Sequence, residues 1–411
     1  MILTIKSSNL ASNTHTLRMN CDQLTIGMRV IELDRPWLES PFTVHGFLIT
    51  HVEQIEKLKR NCDYVYVAAS KKQSIDTAGS NLKRQSYTDT KSFQQAMPQA
   101  KSAHRQAKSV IKGFFKNIRL GQTFETSVAK KAVKQCVDSV IANQDAMLWL
   151  GLLKDVDEYT ARHSLNVGLL SIILGRAEGL APDDLEILGL CGMLHDMGKS
   201  EISLDILNKE GAFSDVEFEI MKTHTTLGFN ILSKKPDLIT EVANVAYSHH
   251  ERLNGRGYPR ALPAAKISYF SRIVAIADAY DAITSKRIYS PSKTSLEGLR
   301  ILIGAKGSHF DPHLVDQFVQ CIGIYPAGSI AELNSGEIAI VLPSPVDRRN
   351  SPNVLIVKDR QKKSCTPRTV DLSNESASNS ANPLKIKHLL SDDAFGIDVK
   401  KYHEMGTGVA N

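Results

Sequence analysis

The sequence predicts a mainly α protein: a large all-helical domain, preceded by a small α+β domain and followed by a short β-containing extension. Three observations carry this reading. Apolar residues recur at three- and four-residue steps from about Lys101 to residue 325. Strand-like runs lie on both sides of that region. Within it His163, His195, His224, His249 and His250 lie with Asp196 and Asp278, two aspartates set in apolar helical runs.

Taken in order, Ile26–Leu33 and Phe42–Ile49 have strand composition with partial alternation. Val52, Ile55 and Leu58 then repeat at helical spacing, and Asp63–Val67 closes with a β-rich run. These form the small domain, residues 1–70. Residues 71–100 are polar, with almost no apolar period, and read as a linker. Connecting helices occupy 101–150, one stopping at Gly121 and another covering Glu125–Asn143.

The main helical domain spans 151–325. It opens with a helix carrying Tyr159, His163, Asn166, Val167 and Leu170 on neighbouring rows. Ser214-Asp-Val-Glu217 is a capping box that starts a helix containing His224. Further helices are expected over Leu238–His249, Ile267–Lys286 and Ser295–Ala305. Residues 326–411 return to β character, with strands near Ile338–Leu342 and Val354–Val357. Thr369–Pro383, rich in Ser and Asn, is expected to be flexible.

Composition narrows the function. A net charge of +6 over 411 residues is mild and contains no dense Lys/Arg block, so no nucleic-acid polymer is expected as a partner. The six cysteines make no CxxC pair, which argues against a zinc ribbon and for a reducing compartment. The first residues lack a signal-peptide core, and no run is apolar enough to span a bilayer. The chain reads as cytoplasmic.

The organising stretch is Cys191-Gly-Met-Leu-His-Asp-Met-Gly-Lys199. A buried carboxylate beside an imidazole costs several kcal/mol, on the order of a desolvated ion, unless something compensates. A metal ion does so, since both groups are good ligands for divalent cations. His163, His195, His224, His249 and His250, with Asp196 and Asp278, are too many ligands for one ion. Two metals fit the count, and a carboxylate such as Asp196 can bridge them. Five imidazoles favour iron, manganese, nickel or zinc over magnesium or calcium. The loop that follows, His249-His-Glu-Arg-Leu-Asn-Gly-Arg-Gly-Tyr-Pro259, is expected at the mouth of the site.

The motifs YTARHS (159–164), LHDMGK (194–199), MKTHTTLG (221–228), HHERLNGRGYP (249–259) and ADAYDAITSKR (277–287) together resemble the HD-GYP phosphodiesterases, a bacterial branch of the HD metal-dependent hydrolases. Residues 17–67 resemble the small uncharacterised domain that often precedes them.

The resemblance implies an all-helical HD-type phosphohydrolase acting on cyclic dinucleotides. It implies that His163, His195, Asp196 and Asp278 hold one ion, with Asp196 bridging to a second completed by His224, His249 and His250. Iron or manganese is the leading pair of candidates, with nickel or zinc behind. Asp196 and Lys199 are the catalytic residues it implies, Lys199 on the scissile phosphate. Arg287 and Tyr258 are expected to contact substrate, and Arg256 to reach its second phosphate. Protein partners would meet the GYP loop or the N-terminal domain.

Three departures stand out. Tyr159 occupies the place of a glutamate found in three-metal members. The loop has Asn254 and Arg256 in place of an acid and a small residue. Ile288-Tyr289-Ser290 replaces a Pro-Tyr-basic run. The substrate stays open between cyclic di-GMP and 3',3'-cyclic GMP-AMP. A non-catalytic binder, or an HD hydrolase of other nucleotides, are the rival readings.

Overall fold

The computed structural model describes residues 16–24, 28–35, 42, 46–49, 52–68, 82, 84–152, 159–285, 293–344, 348–373, 383–391 and 394–402. The chain divides into two compact units, residues 1–77 and 78–411.

The first unit is a four-stranded antiparallel sheet with one helix. Its strands are β1 (Thr16–Asn20), β2 (Arg29–Leu33), β3 (Phe47–Leu48) and β4 (Tyr64–Ala68), in the order β1-β4-β2-β3; α1 (Val52–Asn61) lies between β3 and β4 in the chain. Val30, Leu33, Phe47, Ile49, Ile55, Leu58, Val65 and Val67 share one core with Cys21 and Cys62. Of the run expected as a strand over Phe42–Ile49, Phe47–Leu48 form β3 and Phe42 stacks on Phe47 at 5.1 Å, while residues 43–45 lie outside the described residues.

In the second unit the helices are α2 (Phe93–Arg119), α3 (Thr126–Ala142), α4 (Gln144–Leu152), α5 (Tyr159–Ala177), α6 (Pro182–Leu194), α7 (Leu204–Leu207), α8 (Asp215–Lys222), α9 (His224–Leu232), α10 (Thr240–Ser248), α11 (Tyr269–Thr284), α12 (Ser295–Gly304) and α13 (Pro312–Ile322). α5 is buried on every side from Ala161 to Arg176, which makes it the axis of the bundle. A 3₁₀ turn, Met197–Glu201, follows α6 and packs on α9.

The expected linker over 71–100 is corrected in its second half. Arg84 bridges to Leu180, the Tyr87 hydroxyl donates to the Leu180 carbonyl at 2.7 Å, and Arg176 donates to Asp89 at 2.6 Å. Ser92 then caps α2 in a box with Gln95, so that the helix begins at Phe93, eight residues before the expected start. Two features hide this from the sequence. The strap is fastened by backbone and polar groups, which leave no apolar period. The first turns of α2 bury small residues (Ala96 and Ala100, with Met97) around Pro98, a residue that discourages a helical reading.

The C-terminal part is a five-stranded antiparallel sheet of order β8-β7-β6-β5-β9, from β5 (Ile330–Leu333), β6 (Ile338–Val341), β7 (Asn353–Lys358), β8 (Ser364–Asp371) and β9 (Ile386–Leu389); a last helix, α14 (Val399–Tyr402), follows. β6 is wholly buried, as its apolar run requires. Residues 369–371, expected in a flexible stretch, complete β8; residues 374–382 lie outside the described residues. β8 is an edge strand with alternating exposure and Pro367, so its sequence looks polar. Arg349 fastens the sheet to the helices, donating to Asp145 at 2.5 Å and to the carbonyl of Gln320 at 3.2 Å. No helix among the described residues is long and apolar enough to cross a membrane.

Candidate metal centre

Five separate parts of the bundle deliver the ligand candidates to one point. α5 brings His163, and the C-terminal end of α6 brings His195 and Asp196. The start of α9 brings His224. The end of α10 brings His249 and His250, and the middle of α11 brings Asp278. All seven predicted ligands therefore meet. The ligand atoms of three sets each lie within 4.8 Å of one another: His163, His195 and Asp278; His195, Asp196 and His249; His224, His249 and His250.

Asp196 stands at the centre and is fully buried. Its Oδ2 faces His163 Nε2 at 3.6 Å and His195 Nε2 at 3.2 Å. Its Oδ1 faces His224 Nε2 at 3.4 Å and His249 Nε2 at 3.8 Å. Asp278 lies 3.1 Å from His163 Nε2 and 3.7 Å from His250 Nδ1.

The histidines are aimed by their other nitrogens. Nδ1 of His195 lies 2.7 Å from the Gly192 carbonyl, Nδ1 of His224 is 2.6 Å from that of Met221, and Nδ1 of His249 is 2.9 Å from that of Ala246. A carbonyl only accepts, so each Nδ1 carries the proton and each Nε2 offers a lone pair inward. His163 is aimed by a carboxylate instead: Asp281 Oδ2 lies 2.7 Å from its Nδ1, while Asn166 donates to Asp281 Oδ1 at 2.9 Å.

The donor set fits metal ions. Burial holds His224 down to about 4 and His249 well below the usual imidazole range, so both rings are neutral and free to coordinate. His250 is lowered to about 3, again chiefly by desolvation. Burial alone would raise the Asp196 carboxyl, but His195 and Lys199 outweigh it and keep it ionised. His195 Nε2 and Asp196 Oδ1 are buried with no hydrogen-bond partner, an arrangement that costs free energy unless a cation takes the lone pairs.

Lys199 sits on the rim, its ammonium 2.5 Å from Asp196 Oδ2. The turn carrying it lies flat on α9 because residue 198 is glycine; a Cβ there would come 1.9 Å from the His224 carbonyl. The GYP loop covers the other side. Tyr258 lies 4.6 Å from the His250 ring, centroid to centroid. Burial, then Asp278 and Asp196, push its phenol far up, so it stays protonated. Arg256 is exposed, with its backbone N–H donating to Asn254 Oδ1 at 3.0 Å. Arg287 and Ile288–Ser290 lie outside the described residues, and so does the side chain of Tyr159.

Two supporting residues escaped the sequence reading. Asp281 had a signal, an acid one turn after Asp278 on the same helix face. Glu251 had only its place after the histidine pair: buried, it accepts from the backbone of Arg260 at 2.8 Å and of Leu262 at 2.9 Å, closing the loop.

A family model described as HD domain matches residues 152–314, and a second, a domain of unknown function, matches residues 16–129. A cyclic di-GMP phosphodiesterase of Pseudomonas aeruginosa is 32% identical over 371 residues, 86% of this chain and 88% of that protein. The chain belongs to the HD-GYP family.

Other relatives match less than half of this chain. A cyclic di-GMP phosphodiesterase of Thermotoga maritima is 38% identical over 42% of this chain and 48% of its own length. A 3'3'-cGAMP-specific phosphodiesterase of Vibrio cholerae is 35% identical over 39% of this chain and 31% of its own. Among solved structures, an HD-GYP-type protein of Bdellovibrio bacteriovorus superposes with a TM-score of 0.45 at 18% identity, over 74% of this chain and 98% of that one. The family model for the N-terminal domain runs beyond the first unit into α2 and α3.

Proposed function

We propose that this HD-GYP protein is a metal-dependent phosphodiesterase that opens a bacterial cyclic dinucleotide, cyclic di-GMP or 3',3'-cyclic GMP-AMP, to its linear form. The observation that carries the reading is the placement of buried Asp196 between two pairs of histidines, each oxygen facing a different pair. That arrangement suits a carboxylate shared by two divalent ions, with iron or manganese preferred by so many imidazoles. His163, His195, Asp196 and Asp278 would hold one ion; Asp196, His224, His249 and His250 would hold the other. Bound there, the ions would supply Lewis-acid polarisation of the phosphate and lower the pKa of water.

The remaining work falls to the protein's own groups. Lys199, already held against the centre, neutralises charge on the non-bridging oxygens of the scissile phosphate. Tyr258, kept as a phenol, donates a hydrogen bond from the loop side. Arg287 and Arg256 are assigned to substrate phosphate, Arg256 to the one that is not cut. The GYP loop, closed by Glu251, excludes water from one side.

Reconstitution with iron or manganese, followed by product analysis with both dinucleotides, tests the reading. Linear dinucleotide, with or without mononucleotides after it, is expected. Binding of both dinucleotides without turnover would establish a non-catalytic receptor, and hydrolysis confined to nucleoside triphosphates would establish a different HD enzyme.

A further inference from the structure

Phe218, on α8, is 45% exposed. Its ring meets Tyr258 edge-on at 6.4 Å, and Tyr258 lies 4.6 Å from His250 and 6.5 Å from His224. Lys222, one turn further along α8, holds its ammonium 4.7 Å from the Phe218 ring and 5.8 Å from that of Tyr258. Glu219 ties that ammonium in place at 2.6 Å. α8 buries none of its residues, so core packing does not explain where the Phe218 ring sits.

The result is an aromatic wall that begins at the ligand histidines and runs outward to a half-open ring with a cation at its edge. Phosphate recognition needs donors and charge, and Lys199 already provides them beside Asp196. A flat π surface serves the other half of a nucleotide, since every base has a face that stacks. The cation over both rings fixes their orientation in advance of binding.

We propose that Phe218 is a specificity-determining residue whose ring stacks on one base of the cyclic dinucleotide, with Lys222 as the positioning residue that holds the ring. The proposal rests on the phosphodiesterase reading and adds to it the recognition of the base.

The test uses the full-length, metal-reconstituted protein with Phe218→Ala, Phe218→Leu and Phe218→Trp. Two substrates are compared: cyclic di-GMP and methyl p-nitrophenyl phosphate, a diester with no nucleobase. A cyclic dinucleotide carrying 2-aminopurine reports stacking by fluorescence quenching.

Phe218→Ala and Phe218→Leu are expected to raise KM for cyclic di-GMP about tenfold, with a several-fold smaller loss on the base-free diester, and to reduce quenching. Phe218→Trp restores both. Equal losses on the two substrates, a changed metal content, or a Leu variant that behaves as wild type would overturn the proposal. So would unaltered quenching in Phe218→Ala. If the unaltered protein cleaves the simple diester but neither binds nor cuts the dinucleotides, the phosphodiesterase reading falls and this proposal falls with it. If it cuts them and Phe218→Ala is indistinguishable, only this proposal falls.

Discussion

On α11, Asp281 follows Asp278 by one turn, and its two oxygens divide between His163 and Asn166. Its carboxylate fixes which nitrogen of His163 points inward. A carboxylate behind a ligand imidazole also raises that ring's basicity toward a cation. Asp281→Asn keeps the shape and removes the charge. It should weaken metal binding roughly 10- to 100-fold, the usual cost of losing such a support, with little change in fold. Titration of chelator-treated protein with manganese, followed by dialysis and elemental analysis, measures this. Unaltered affinity would show that Asn166 and the helix alone orient His163.

At the scale of the element, the GYP loop is held less by its glycines than by one buried acid. Glu251 takes the backbone N–H groups of Arg260 and Leu262, while Arg260 reaches back to Ser248 Oγ at 2.6 Å. Glu251→Ala leaves two donors without partners, at about 1–3 kcal/mol each where water cannot replace the acceptor. The expected outcome is local: faster amide exchange at Arg260 and Leu262 and a higher KM through a loosened Tyr258, with the bundle helices exchanging as before. Amide exchange followed by mass spectrometry checks it, and unchanged protection across 252–262 would contradict the assignment.

The same scale explains what the sequence made legible. All seven ligand candidates sit in or at the ends of helices with largely apolar sequences, where a histidine or aspartate stands out as a group needing a partner. Residues 84–91 and β8 were obscure because polar and backbone groups hold them and leave no periodic trace, and the first turns of α2 because they bury small residues around Pro98. Glu251 and Asp281 were obscure for a related reason: a carboxylate's partners are set by tertiary geometry.

For the whole molecule, the centre ties stability to both protons and metal. In the unfolded chain the histidines titrate near 6.5, by their ordinary value. In the folded protein burial lowers His224 to about 4, His250 to about 3, and His249 well below its usual range. Between pH 6.5 and 4 the unfolded state therefore binds more protons than the folded one, and stability must rise with pH across that window. Each such histidine adds on the order of 1 kcal/mol per pH unit to the slope. Asp196 and Asp278 are lowered instead, so their contribution is present above pH 3.8 and is lost only below it, outside the same window. Metal acts in the same direction, because ions bind the neutral imidazoles of the folded state alone and raise stability with their concentration. Thermal unfolding of chelator-treated protein from pH 4 to 8 should thus show a midpoint that climbs to about pH 7 and then levels. Manganese should raise the upper part of that curve and lose its effect toward pH 4. His224→Gln, which removes one titrating ring, should flatten the metal-free slope. A metal-free midpoint independent of pH between 4 and 6.5 would mean that these rings are not held neutral by burial, and the ligand set would lose its readiness to coordinate.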